Sequence, residues 1–146
     1  MQRYAGIRPT KKKTTTGIIL YVTDLTCDSD ETLASACDMA DRNCVAIELV
    51  HVVDVAQEQS NPDAQMGIFY RLETLARRLK NLRRNVVPLL LFGRLEDVIA
   101  KRARDTKASM VVFGTNGHSS TALQERLARI RRRVPCPVAI ISTRVA

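Results

Sequence analysis

Five short, nearly uninterrupted apolar runs alternate with amphipathic stretches along the 146-residue chain, and this most limits what it can fold into. The runs are residues 17–22, 45–53, 86–92, 110–113 and 137–142, each rich in Val, Ile or Leu. A run apolar at almost every position has no polar face to give to water. Each is therefore read as a strand buried on both sides. Between the runs, apolar residues recur at helical spacing. Leu33, Ala36, Cys37, Ala40 and Cys44 form one stripe, and Ile68, Leu72, Leu75, Ala76, Leu79 and Leu82 a second. Leu95, Val98 and Ile99 begin a third, and Leu123, Leu127, Ile130 and Val134 mark a fourth. Asp28, Ser29, Asp30 and Glu31 supply caps and acids at the start of the first helix. Thr121 and Gln124 fit a capping box for the last. The polar segment 54–65, which holds Asn61-Pro62-Asp63, reads as a loop. Strands alternating with helices in this way build a parallel sheet covered on both faces: an α/β fold of five strands and four helices. Pro88 lacks an N–H and places its strand at a sheet edge. Residues 1–16, with Lys11-Lys12-Lys13, have little to bury. They read as a basic flexible N-terminal tail ahead of one domain over 17–146.

Charge narrows the function classes. Lys and Arg number 23 against 15 acids, a net charge of +8, which attracts phosphates, nucleic acid and acidic partners. Aromatic residues are only 4% and Trp is absent, so a base-stacking platform is poorly supplied. The basic segments 71–84, 101–107 and 126–133 read chiefly as solvated helix faces with ion pairs, the alternative being an anion-docking patch. Cys27, Cys37, Cys44 and Cys136 show neither a CxxC pair nor zinc-ligand spacing, so no metal site is expected. Reduced thiols fit a cytoplasmic protein, and no apolar run approaches the ~20 residues of a membrane helix. No HExxH, GxSxG or ordered triad occurs, so no catalytic residue is assigned and the chain is read as a non-enzyme.

In an open parallel sheet, ligands bind beyond the carboxyl ends of the strands. Two loops stand at such ends. Thr23-Asp24-Leu25-Thr26 follows the first strand, and Gly114-Thr115-Asn116-Gly117 follows the fourth. Glycines three apart let backbone amides approach a phosphate ahead of a helix. Asp24 has a competing reading as a helix cap. His51, inside an apolar strand, reads as a hydrogen-bonded core histidine, and His118 as an exposed loop histidine on the phosphate side.

These segments stand in order with Leu49-Val50-His51-Val52-Val53-Asp54, Gly93 and Val134-Pro135-Cys136-Pro137-Val138. Together they resemble a universal stress protein domain over about residues 17–142. The resemblance implies a Rossmann-like three-layer sandwich with strand order 3-2-1-4-5 and a homodimer paired through the fifth strand, at Val138 and Ile140. It also implies a nucleotide site for ATP or AMP: Asp24 at the ribose, Val52 at the adenine, and Gly114, Asn116, Gly117 and His118 toward the phosphates. The family's G-x2-G-x9-G-[ST] phosphate loop is degenerate here. Leu127 stands where the third glycine belongs. Counted back from Pro135-Cys136-Pro137, Gln124 and Glu125 occupy the Gly and Ser/Thr positions in a loop about three residues short. A carboxylate there repels a triphosphate, and a Gln in place of Gly blocks close backbone approach. The expected function is a non-catalytic stress-response or regulatory dimer. It acts on an unidentified protein partner, without tight ATP binding and with no firm cofactor. The alternatives are an ATP- or AMP-binding member, and a basic module docking on nucleic acid or an acidic partner.

Overall fold

A computed structural model of the chain describes residues 17–25, 30–43, 45–54, 62–82, 85–115 and 121–142. The elements run β1 (Ile18–Val22), α1 (Asp30–Asn43), β2 (Ala46–Val53), α2 (Pro62–Leu82), β3 (Val86–Phe92), α3 (Leu95–Thr106), β4 (Met110–Thr115), α4 (Thr121–Arg133) and β5 (Val138–Ser142). All neighbouring strands are parallel, in the order β3-β2-β1-β4-β5.

The strands alternate between two cores, as a pleat of period two requires. Ile19, Tyr21, Ile47, Leu49 and Val112 pack with Leu33, Ala36 and Ala40 of α1 and Leu72, Leu75 and Leu79 of α2. Leu20, Val22, Val50, Val111 and Phe113 turn to the other face, against Ile99 and Ala103 of α3 and Leu127 and Ile130 of α4. Burying each such Leu, Ile, Val or Phe side chain contributes about 1.5–3 kcal/mol. The double-sided burial explains why these strands carry continuous apolar runs.

Three boundaries stand out against the expected ones. Helix α2 begins at Pro62, inside the segment read as loop, because proline's fixed φ suits a first helical turn. Strand β4 continues through Gly114 and Thr115, which pair with Ile141 and Ser142 of β5. Gly114 is thus a strand residue, not the first residue of a turn. Thr121 lies within α4 rather than ahead of it. The expected tail at 1–16 lies outside the described residues, as do Cys27, Asp28, Ser29 and Cys44.

The two sheet edges are not equivalent. The Ile47 N–H donates to the Asn85 carbonyl, so the odd-numbered backbone groups of β3 face β2 and the even-numbered ones face outward. Pro88 is therefore on the outward register, where its missing N–H costs no ladder bond. On β5 the Val111 N–H donates to the Pro137 carbonyl, so the backbone groups of Val138 and Ile140 turn outward. Their side chains pack on the α3–α4 face of the sheet.

Two close approaches fix the chain path. A Cβ on Gly17 would stand 2.2 Å from Ser109 Oγ and 2.8 Å from Val45 Cγ1. Gly93 ends β3 at φ 135°, and its N–H donates to the Val53 carbonyl at 3.0 Å. Helix α3 closes on Lys107 in the left-handed region (φ 55°), with Lys107 N–H donating to the Arg104 carbonyl and Ala108 N–H to that of Ala103. Glycine usually fills this position.

One acid is built into the sheet. Glu48 of β2 is 7% exposed and takes two bonds from Arg102 of α3, at 2.9 Å from Nε and 2.7 Å from Nη2. The bond to Glu48 raises the Arg102 pKa above its already high value, against the desolvation that lowers it. The fork-to-fork geometry satisfies both charges where water is scarce.

Candidate functional site

Strand order reverses between β1 and β4: from β1 the chain steps outward to β2 and β3 on one side, then to β4 and β5 on the other. The crevice beyond the carboxyl ends of these two strands is the expected place for a ligand. Asp24 leaves the end of β1 with its side chain exposed, and Gly114 lies half-buried near the end of β4. Val52 sits near the end of β2, half-buried and packed on the α3–α4 side. The fold therefore brings Asp24, Val52 and Gly114 to one edge of the sheet. Asn116, Gly117 and His118 lie outside the described residues.

The turn that carries Asp24 is tightly specified. Thr23 is 2% exposed, and its N–H continues the sheet by donating to the Val50 carbonyl at 2.9 Å. Leu25 adopts φ 67°, a left-handed conformation that costs a non-glycine residue about 1–2 kcal/mol. Its N–H donates to Thr23 Oγ1 at 2.9 Å, and its side chain packs against the α1–α2 core. Two side chains reach the same turn from elsewhere. His51 Nδ1 lies 2.8 Å from the Thr23 carbonyl, and Arg71 Nη2 donates to the Leu25 carbonyl at 2.8 Å. A carbonyl only accepts, so His51 carries its proton on Nδ1. His51 is thus a hydrogen-bonded histidine, as its apolar surroundings suggested.

On the other side of the crevice, α4 exposes Gln124 and Glu125 near its start. Three of its arginines are paired with α3. Arg126 and Arg129 approach Glu96 of α3 at 3.3 and 3.6 Å, and Arg94 approaches it at 3.7 Å. Glu96 is only 6% exposed. Arg133 bonds Asp97, and that bond holds the Asp97 carboxyl below the usual aspartate range. The basic segment 126–133 is therefore in large part an ion-pair seam between α3 and α4. Along α3, Lys101 pairs with Asp105 at 2.6 Å. Burial pushes the Cys136 thiol up, away from reactivity. Among the described residues no group of three His, Cys, Asp or Glu converges as a metal site would. No described helix is long and apolar enough to cross a membrane.

Sequence reasoning missed Arg71, Glu48 and Glu96. Glu48 had a signal, as the single acid in an otherwise apolar strand. Arg126, Arg129 and Arg133 had another, since spacings of three and four put them on one helix face. Arg71 had none, because its bond to Leu25 depends on how α2 lies over the sheet.

The fold has many solved counterparts. A universal stress protein in complex with cAMP superposes with a TM-score of 0.68 at 20% identity, covering 88% of this chain and 98% of that one. A universal stress protein from Archaeoglobus fulgidus in complex with dAMP gives 0.65 at 16%, covering 86% and 97%. One from Arabidopsis thaliana with AMP bound gives 0.59 at 15%, covering 88% and 93%. No curated protein matches the chain. The family model of the universal stress proteins matches residues 15–142, and with the strand order this places the chain in the universal stress protein family.

Proposed function

We propose that the chain is a non-catalytic regulatory module that works as a dimer and does not hold ATP tightly. The observation that carries this reading is Glu125. It is exposed near the start of α4, where the family resemblance puts the Ser/Thr of the phosphate loop, while Arg126 and Arg129 are drawn away to Glu96. A carboxylate about 4 Å from a phosphate charge costs about 1 kcal/mol in water and about 4 kcal/mol at the effective dielectric of a protein surface. No neighbouring guanidinium of α4's α3-facing side is left to offset it. The same pairing weighs against an open nucleic-acid patch there.

The nucleoside half of the crevice favours a second reading, a site for adenosine monophosphate. Asp24 and Val52 stand where the family resemblance puts ribose and base contacts, and three solved relatives carry cAMP, dAMP or AMP. A monophosphate extends less far toward Glu125 than a triphosphate does. Thermal unfolding with ATP, AMP and magnesium separates the readings. A ligand at a hundredfold excess over Kd stabilises by about 2.7 kcal/mol. Millimolar ATP should leave the midpoint unmoved. A clear ATP-induced rise that disappears in Asp24→Ala overturns the proposal.

The dimer is supported by the edge of β5. Val138 and Ile140 offer outward backbone groups with no proline among them, whereas β3 is broken by Pro88. Because the Ile140 side chain packs inward on the α3–α4 face, the partner is addressed by backbone. Ile140→Pro removes an N–H that has no bond within the sheet, so it should yield a folded monomer by sedimentation. A wild-type protein that stays monomeric at high concentration rejects the dimer.

A further inference from the structure

We propose that His51 and Arg71 are positioning residues of the crevice: from β2 and α2 they grip the two carbonyls that flank Asp24 and so aim its carboxylate. The inference rests on the reading of Asp24 as the nucleoside-facing acid.

Asp24 sits between Thr23 and Leu25, and both neighbours are held from outside the turn. The Thr23 carbonyl accepts from His51 Nδ1 and the Leu25 carbonyl from Arg71 Nη2, each at 2.8 Å. These partners are 28 and 46 residues away in sequence. Neither bond is part of the sheet ladder or a helix, so neither is required to build the fold. What they do secure is a conformation the local sequence resists. Leu25 is left-handed at φ 67°, with its N–H bonded to Thr23 Oγ1 and its side chain packed against the α1–α2 core. Without Arg71, Leu25 is free to relax toward extended backbone, which swings the preceding peptide and with it Asp24. Strain of this kind persists where surrounding groups over-determine it. His51 acts on the other side. Donation from Nδ1 fixes the Thr23 carbonyl.

AMP is the probe. Arg71→Ala should weaken AMP binding by roughly five- to thirtyfold, the factor that matches the left-handed penalty at Leu25. In a Leu25→Gly background, or Leu25→Asn if glycine loosens the core, the left-handed turn needs no outside support. There Arg71→Ala should change the affinity by less than about threefold, within the worth of one exposed hydrogen bond. His51→Asn keeps a donor near Nδ1 and should retain binding, while His51→Ala should lose it. Equal losses for Arg71→Ala in both backgrounds would mean that Arg71 acts on the ligand directly, and would overturn the proposal. So would no loss in either background. A wild-type protein that ignores AMP defeats the nucleoside reading alone, because two ligand-free measurements still judge the grip. Nitrogen NMR of His51 should show the Nδ1-protonated ring, and amide exchange at Leu25 should speed up in Arg71→Ala. An Nε2-protonated ring together with unchanged exchange rejects the grip itself.

Discussion

Breaking the Glu48–Arg102 pair from its two ends should give unequal results. Glu48 is nearly enclosed, with 10% of its side chain exposed, whereas Arg102 keeps 33% of its side chain in water. Replacing Arg102 with Leu strands a nearly buried carboxylate, opposite Leu20 in the sheet, with its two donors gone. Removing one partner of a fully buried pair costs about 3–5 kcal/mol. The partial exposure of this pair lowers the expectation to about 2–4 kcal/mol, or roughly 5–15 °C in Tm for a domain of this size. Glu48→Leu strands only Arg102, whose guanidinium can swing into water along its aliphatic stem. That change should cost less than about 1 kcal/mol. The double replacement with Leu and Met should be near neutral or stabilising, since an apolar pair of similar volume often outperforms a buried ion pair. Urea unfolding of the four proteins makes the comparison. Equal losses from the two single changes would refute the argument.

Lys107→Gly should stabilise by about 1 kcal/mol, since Lys107 closes α3 in the left-handed region; a lower Tm would contradict this. Gly17→Ala should cost about 1–3 kcal/mol through its clash with Ser109 Oγ, and Ser109→Gly should recover part of the loss in a denaturant titration. The carboxyls of Asp97 and Asp105 are held low by Arg133 and Lys101, so they bind protons less readily folded than unfolded. Their contribution is present above the ordinary aspartate value of about 3.9 and is lost as pH falls through the lowered folded values. In Asp97→Asn the acid limb of the stability curve, below about pH 4, should be shallower; an unchanged limb would show that the pair contributes nothing.

The layers of the fold were legible because burial on both faces leaves a direct trace: strands such as Ile18–Val22 and Met110–Phe113 carry no polar position at all. Pro88 announced its edge for an equally local reason. The limits of β4 and α2 were less clear. Gly114 looks like a turn residue, yet its pairing with Ile141 keeps it in the sheet. The polar residues after Pro62 look like a loop, yet tolerate a helix whose buried stripe lies further on. Asp24 and Val52 could be put at the carboxyl edge of the sheet because each lies within two residues of a strand's end. The contacts that shape the Asp24 turn could not, because no local pattern links residues 25 and 71 or residues 23 and 51. The same holds for Glu48 and Arg102, 54 positions apart. Charge composition alone could not show that Arg126, Arg129 and Arg133 are spent on Glu96 and Asp97.

Pro88 also sets how far these molecules can associate through their sheets. Continuous fibres need each copy to accept a neighbour on both flanks, so that every addition exposes a fresh acceptor. Here one flank has a gap in its row of donors midway along, and only the opposite flank offers an intact row. Two chains that meet there use up each other's sole uninterrupted flank. The proposed pairing would therefore close at two, and a strongly apolar parallel sheet would be spared the polymerisation its composition otherwise invites.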